Sequence, residues 1–514
     1  MNPFFEDLTP DITAKTFEGL LEEYDKRDIE SVNDSRRLYS GTSKPKKPPS
    51  MSAERWKELC DEWTPAPLLK VIVKKIVNLM YGRDVERTSG DKAVDALLEP
   101  IWDYLKLFMP DSCTMAGIDG DGAIRMMPDW EHGIHLTWWD ANHIVPIYDP
   151  ETLRVVGMVY DALSDDMRSQ IARALGGKGK VEDVKELVTR HIRDPLTGEI
   201  LQPCIRARFV DGKRVPWDGG LDPDIDGINP LGDYLDCVFW RNDSGIGSIR
   251  GQSDAACIKP LLHSINERLV QNNMVIRYSA YPVITTTASF RGNPSVHAGK
   301  VFQLGADSAG NPAQMEYLEW SQNMDGAMAV LNRLVGLVHE ISQVPEVAVG
   351  DLEHIGSLSS GRAYEVAMSP IIDLVRMRER LYTWQERQLM ELCVAGLAHV
   401  GLLSGYTTPF GGIDNVPDMQ KIKDLIGEAS IEFDPVRVAR DELTDAQVHS
   451  MRIASGYESE YEAIKATHPQ WAEDKVLEEL KRTGADQTQK VDETVRMRAE
   501  SVGRKLDGES EETG

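Results

Sequence analysis

Three aspartates at alternate positions, Asp222, Asp224 and Asp226, are followed by Gly227 and, at the twelfth position, by Asp233. That spacing matches the opening of a calcium-binding loop, in which alternate carboxylates converge on one hard cation and a glycine turns the chain. Such a loop needs a helix on each side. Here Trp217-Asp218-Gly219-Gly220 precedes the segment and the strand-like run Tyr234 to Trp240 follows it. The segment reads as an acidic surface turn, and no metal is assigned; calcium held by Asp222, Asp224 and Asp226 stays open as the alternative.

The remaining chemistry-bearing residues lead to no reaction. His339-Glu340 begins like the zinc motif HExxH, but Gln343 stands where the second histidine belongs. Neither a GxxxxGK[ST] phosphate loop nor a GxSxG nucleophile elbow occurs. Cys60, Cys113, Cys204, Cys237, Cys257 and Cys393 are scattered without a CxxC pair, so they read as reduced, mostly buried thiols. The expectation is no catalytic residue, no cofactor and no enzymatic activity.

Charge narrows the partners. Lysine and arginine number 57 against 83 aspartates and glutamates, a formal net charge of −26. A surface that grips duplex DNA needs lysine and arginine to replace condensed counterions, so this chain as a whole repels DNA. With 514 residues, 41% of them hydrophobic and 27% charged, it has the composition of a globular protein with two or three packed regions. The start, MNPFFEDLTPD, lacks the basic and then apolar pattern of a secretory signal, which implies synthesis inside the cell. The most apolar long run, Leu389 to Leu403, is interrupted by Glu391 and His399 and is too short to span a bilayer.

Several elements must carry these residues. Residues 8–39 read as charged helix, and the proline- and lysine-rich SGTSKPKKPPS (40–50) reads as a tether. Leu69, Ile72, Val73, Ile76, Val77 and Met80 recur at helical spacing over 66–81, and a second helix is expected from about Ala93 to Phe108. Short β-rich runs follow, with hairpin turns expected at Asp119-Gly120-Asp121-Gly122 and Asp211-Gly212 and a loop at Gly176 to Gly179. A helix over 252–278 carries Ile258, Leu261, Leu262, Ile265, Leu269 and Met274 on one stripe. Residues 280–320 turn to strands; a helix over 323–344 then carries Met324, Met328, Leu331, Leu334, Val335, Val338 and Ile341, and Pro345 stops it. A loop over 345–361 leads into a helical pattern from about Arg362 to Leu403. Next come a strand near 429–438, helices near 443–454, 457–467 and 472–483, and a polar tail.

The order helix, β insert, helix, loop, very long helix resembles the portal family of tailed bacteriophages. Four stretches carry the resemblance: PLLKVIVKKIVNLMYGRDVER (67–87), DANHIVPIYDPETLRVVGMVYD (140–161), GSIRGQSDAACIKPLLHSINERLVQNNMVIRYSAYPVI (247–284) and VPEVAVGDLEHIGSLSSGRAYEVAMSPI (344–371). It extends over roughly 60–480. It implies an α+β portal fold with a mixed wing domain, a two-helix stem, a small β-containing clip, a long wing helix and a helical crown. In these terms residues 1–50 are an N-terminal arm and linker, 51–250 the wing, 251–278 the first stem helix, 279–322 the clip and 323–344 the second stem helix. Residues 345–361 are then the tunnel loop, 362–440 the long helix and return to the wing, 441–484 the crown and 485–514 a flexible tail.

The implied function is structural: a virion ring, of twelve copies in this family, that forms the channel for DNA packaging and ejection at one capsid vertex after synthesis in the bacterial cytoplasm. The implied partners are further copies of the chain, the terminase large subunit, major capsid and scaffolding proteins, a head-tail adaptor, and double-stranded DNA passing without sequence specificity. An acidic bore suits a duplex that must slide without sticking. Val347, Val349, Asp351, Leu352, Glu353, His354 and Ser357 are the expected channel-loop residues. Leu261, Ile265, Leu269, Leu331, Leu334 and Val338 are the expected stem interface, since two projecting helices would otherwise leave those stripes bare. The competing reading is an acidic cytoplasmic enzyme or adaptor of unknown activity with a helical core.

Overall fold

A computed structural model of the chain describes residues 12–45, 47, 49, 51–61, 63–129, 133–150, 152–161, 183–194, 197–215, 227–244, 248–280, 283–286, 315–318, 324–350, 361–403, 405–410, 413–436 and short stretches between 449 and 482. The chain divides into two compact units, residues 1–356 with 367–436, and residues 357–366 with 437–514.

The helix expected over 8–39 is two helices, α1 (Ala14–Tyr24) and α2 (Ile29–Ser40). Each has its own N-cap: Thr13 accepts from the Thr16 amide, and Asp28 from the Ser31 amide. The intervening turn draws Arg27 inward, where it meets Asp25 at 2.6 Å and Asp161 at 2.9 Å. Ile12, Phe17, Leu20 and Tyr24 are buried against a β-sheet, with Phe17 stacked on Phe209 at 3.9 Å between ring centres. α1 is thus part of the sheet's core rather than an outlying arm.

After α3 (Ala53–Asp61), α4 (Leu68–Tyr81) buries Leu69, Ile72, Val73, Ile76, Val77 and Met80, the stripe read from the sequence. Strand β1 (Val85–Thr88) leads to α5 (Lys92–Asp119), which runs well past the expected end at Phe108 and through Pro100 and Pro110. Its buried face, Leu98, Ile101, Leu105, Met109, Cys113 and Ala116, continues across Pro110. Burial of that face offsets a proline penalty of about 3 kcal/mol. Asp119-Gly120-Asp121-Gly122 is therefore not a hairpin turn. Gly120, at φ +101°, switches the chain from helix to strand. A side chain there would strike the Gly251 carbonyl oxygen at 2.8 Å.

Two antiparallel sheets follow. One has the order β11 (Cys237–Arg241), β2 (Asp121–Asp129), β3 (Gly133–Asp140). The other runs β10 (Lys213–Val215), β9 (Arg206–Val210), β6 (Val184–Thr189), β5 (Val155–Asp161), β4 (Ile144–Tyr148). Side chains alternate between faces with a period of two. Val145, Ile147, Val159 and Leu187 face α1, whereas Ile144, Met158, Tyr160 and Val188 pack with Ala123, Cys237 and Phe239 of the first sheet. Asp211-Gly212 does form the expected hairpin between β9 and β10, at φ +46° and +75°. A small pair, β7 (Ile192–Arg193) and β8 (Ile200–Gln202), lies between β6 and β9 in the sequence.

Next come α6 (Lys259–Ala280), the antiparallel pair β12 (Val283–Thr286) and β13 (Met315–Leu318), α7 (Met324–Ser342) and α8 (Gly361–His399). Four polar links pin the middle of α8. Arg378 meets Asp254, the Tyr382 hydroxyl donates to Asn242 Oδ1 at 3.1 Å, Gln385 bonds the Arg241 backbone, and Glu386 meets Arg87 at 2.7 Å. Beyond them Leu389 to Ala398 is almost wholly buried, apart from Glu391. The chain then forms β14 (Thr407–Phe410), β15 (Ile413–Pro417), α9 (Met419–Leu425) and β16 (Ser430–Phe433). β16 pairs with β1, Val85 opposite Phe433. In the second unit, α10 (Glu460–Thr467) opens with a capping box in which Ser459 and Glu462 bond each other's amides.

Candidate functional site

α6 begins where Pro260 is tolerated, in the first turn of a helix whose leading amides have no partner within the helix. Its base is rooted by polar contacts. Lys259 Nζ donates to Ser31 O at 2.8 Å, His263 Nε2 lies 2.8 Å from Asp34, and the Ala66 amide donates to buried Asn266 at 2.9 Å. Ile258, Leu262, Ile265 and Val270 are buried on one face. Toward the far end the cover is lost, and Ile276 is 54% exposed.

α7 packs against α6, with the Asn272 amide group 3.8 Å from Met328 Sδ, so the two form a hairpin. Leu331 and Val338 of α7 are buried. Met328 and Val330 are each 44% exposed and Ile341 46%. The sequence-derived interface set therefore divides. Ile265, Leu331 and Val338 are buried by the chain's own packing and offer no surface, which corrects the expectation that the whole stripe is bare. Leu261, Leu269 and Leu334 are half-buried. The exposed apolar surface of the hairpin is instead Ile276, Met328, Val330 and Ile341. Ala327-Met328-Ala329-Val330-Leu331 is apolar through more than one full turn, the pattern of a helix with a second face to cover.

α7 ends at Ser342, the following Gln343 sits at φ +57°, and His339 Nδ1 lies 2.8 Å from the Val344 carbonyl oxygen. A 3-10 turn (Glu346–Val349) follows and packs on α4, with Ala348 buried, Val347 half-buried and Val349 36% exposed. Gly350, at φ +97°, closes the turn. Of the expected channel-loop residues, Val347 and Val349 lie in this turn; Asp351, Leu352, Glu353, His354 and Ser357 lie outside the described residues.

The motifs that suggested chemistry are engaged otherwise. His339 is occupied at the helix end, and Glu340 pairs with Arg333 at 2.8 Å. Burial pushes the Cys204 thiol up to about 11 and raises Cys113, Cys237 and Cys393 as well, which keeps all four protonated. Asp233, the twelfth position of the acidic loop, is held by Arg193 Nε at 2.6 Å and Nη2 at 2.8 Å. Asp222, Asp224 and Asp226, like Gly176 to Gly179, lie outside the described residues. No group of three or more metal-ligating side chains occurs among the described residues, and no helix among them is long and apolar enough to cross a membrane.

No protein-family model matches this chain, and no curated protein matches it. Among solved structures, a chain in the neck of an empty GTA particle, computed with C6 symmetry, is similar to it with 12% sequence identity and a TM-score of 0.37, over 85% of this chain and 93% of that one.

Proposed function

We propose that this protein is a subunit of a closed ring, the portal of a tailed bacteriophage, and that its role is structural rather than catalytic. One observation carries the reading: a helical hairpin, rooted at its base by Lys259, His263 and Asn266, bears apolar side chains on both helices that the chain's own packing leaves exposed. Such a surface calls for a partner, and a head-to-tail contact that closes on itself supplies one from further copies of the same chain.

In this reading α6 and α7 are the stem and the β12–β13 pair belongs to the clip, the end that meets the terminase motor. The turn at Glu346–Val349 begins the loop that narrows the channel, and α8 ties stem to wing. Each copy brings a formal charge of −26, so the bore repels phosphate and a duplex slides without tight contacts. Capsid and scaffolding proteins meet the outer wing, and a head-tail adaptor docks after packaging.

Light scattering on a sizing column, with negative-stain imaging, tests the proposal. The expected species is an annulus with a central hole and a mass near twelve times 57.5 kDa. A monodisperse monomer at high concentration overturns it.

A further inference from the structure

Arg190 follows β6 and extends its ladder by one step, its amide donating to the Val156 carbonyl oxygen at 3.1 Å. By the alternation of the strand its side chain shares the face of Val188, which packs toward the first sheet, and it is half-buried there. Arg154 stands two residues before Val156 and so lies diagonally across the ladder from Arg190, within reach of a long side chain. The two guanidiniums repel each other through space.

A half-buried cation ordinarily sits against an acid. Among the described residues Asp233 is the acid whose charge acts on Arg190, but Arg193 already holds both of its oxygens, from Nε at 2.6 Å and Nη2 at 2.8 Å. Asp149 is next to Arg154 through the backbone, its amide donating to the Arg154 carbonyl oxygen at 3.0 Å, while its carboxylate accepts from the Thr152 hydroxyl at 2.7 Å. Neither the Arg154 nor the Arg190 guanidinium donates a hydrogen bond or forms an ion pair among the described residues. Burial, with the Arg154 charge adding to it, lowers the Arg190 pKa from its ordinary value against the pull of Asp233.

Two neighbouring guanidiniums, each a planar fork of N–H donors, are complementary to the oxygens of a tetrahedral oxyanion. A chain with a formal net charge of −26 repels a polyanion, so the occupant is small and free rather than a nucleic-acid backbone. We infer that Arg154 and Arg190 bind a small, doubly charged oxyanion of the phosphate class, which supplies the counter-charge that the fold leaves out. The inference does not depend on ring formation, since both residues lie in one chain and neither is on the hairpin.

Thermal unfolding of the full-length protein in inorganic phosphate, against chloride at equal ionic strength, tests it. Phosphate should raise Tm saturably, and chloride should not. Arg154→Gln, a change at an exposed position, should raise the phosphate concentration required roughly tenfold. Arg190→Met keeps the apolar stem and removes the charge, so in chloride it should unfold no lower than the unaltered protein, and phosphate should then add nothing. A lower Tm for Arg190→Met in chloride would reveal a counter-charge within the fold, and an undiminished gain from phosphate would place the anion elsewhere; either result overturns the inference. A short DNA duplex that raises Tm in the unaltered protein but not in Arg190→Met, where free phosphate raises neither, overturns it in favour of a nucleic-acid contact.

Discussion

Arg87 on β1 donates from Nε and Nη2 to the two carboxylate oxygens of Glu386 on α8, at 2.9 and 2.7 Å, with both side chains almost fully buried. The Tyr81 hydroxyl adds a third donor to Glu386, at 2.9 Å. The pair joins the long helix to the β1–β16 ribbon, and a buried charge of this kind is stable only with its partner in place.

Glu386→Leu strands Arg87 as an uncompensated buried cation and should cost about 3–5 kcal/mol, read as a fall in the urea midpoint. Arg87→Met combined with Glu386→Leu should recover most of that loss. A double variant no more stable than the single one would show that the pair does more than neutralise charge.

Asp119 is raised to about 6, chiefly by burial, with Asp140 and Asp121 adding to the shift and the hydrogen bonds from Arg36 opposing it. Native Asp119 thus holds its proton more tightly than the unfolded chain does. Its contribution to stability is complete below the ordinary aspartate value of 3.8 and declines as pH rises to about 6. The loss is about 3 kcal/mol at most. Urea unfolding at pH 4 to 7 should show the gap between Asp119→Asn and the unaltered protein changing with pH across that window and constant above it. A gap that stays constant throughout contradicts the assignment.

Met328→Asp and Val330→Asp change exposed side chains of α7 and should yield folded monomers in place of rings, with circular dichroism unchanged. Val338→Asp instead buries a carboxylate in the chain's own core and should destabilise the fold by more than about 3 kcal/mol. Rings that persist in both exposed-site variants would remove this face from the interface.

Val349→Lys places a positive charge on the exposed end of the turn after α7. In a ring it adds one cation per copy beside the bore. Duplex DNA should then be retained on a filter at about 50 mM salt and released by about 200 mM, whereas the unaltered protein retains none. Equal retention by the two would place Val349 away from the channel.

The sequence by itself determined where local periodicity and chain stops suffice. The stripe of α4 from Leu69 to Met80, the short β-rich runs of β4 and β5, the Asp211-Gly212 turn and the stop of α7 before Pro345 all follow from spacing and backbone chemistry that neighbouring residues impose on one another. Tertiary structure decided what periodicity cannot express. A stripe says that a face is buried, not against what: Ile265 and Val338 are covered within the chain, while Ile276 and Met328 are bare. Burial along α5 carried the helix past its expected end at Phe108 and through Pro110, and Gly120 became a helix-to-strand switch because Gly251 packs against it. Arg87 and Glu386 are 299 residues apart, and Arg125 meets Glu186 and Asp236 across 61 and 111 residues, so no local pattern marks either set. Such partners meet only when the sheets and α8 pack, because a buried charge selects its counterpart by distance in space rather than along the chain.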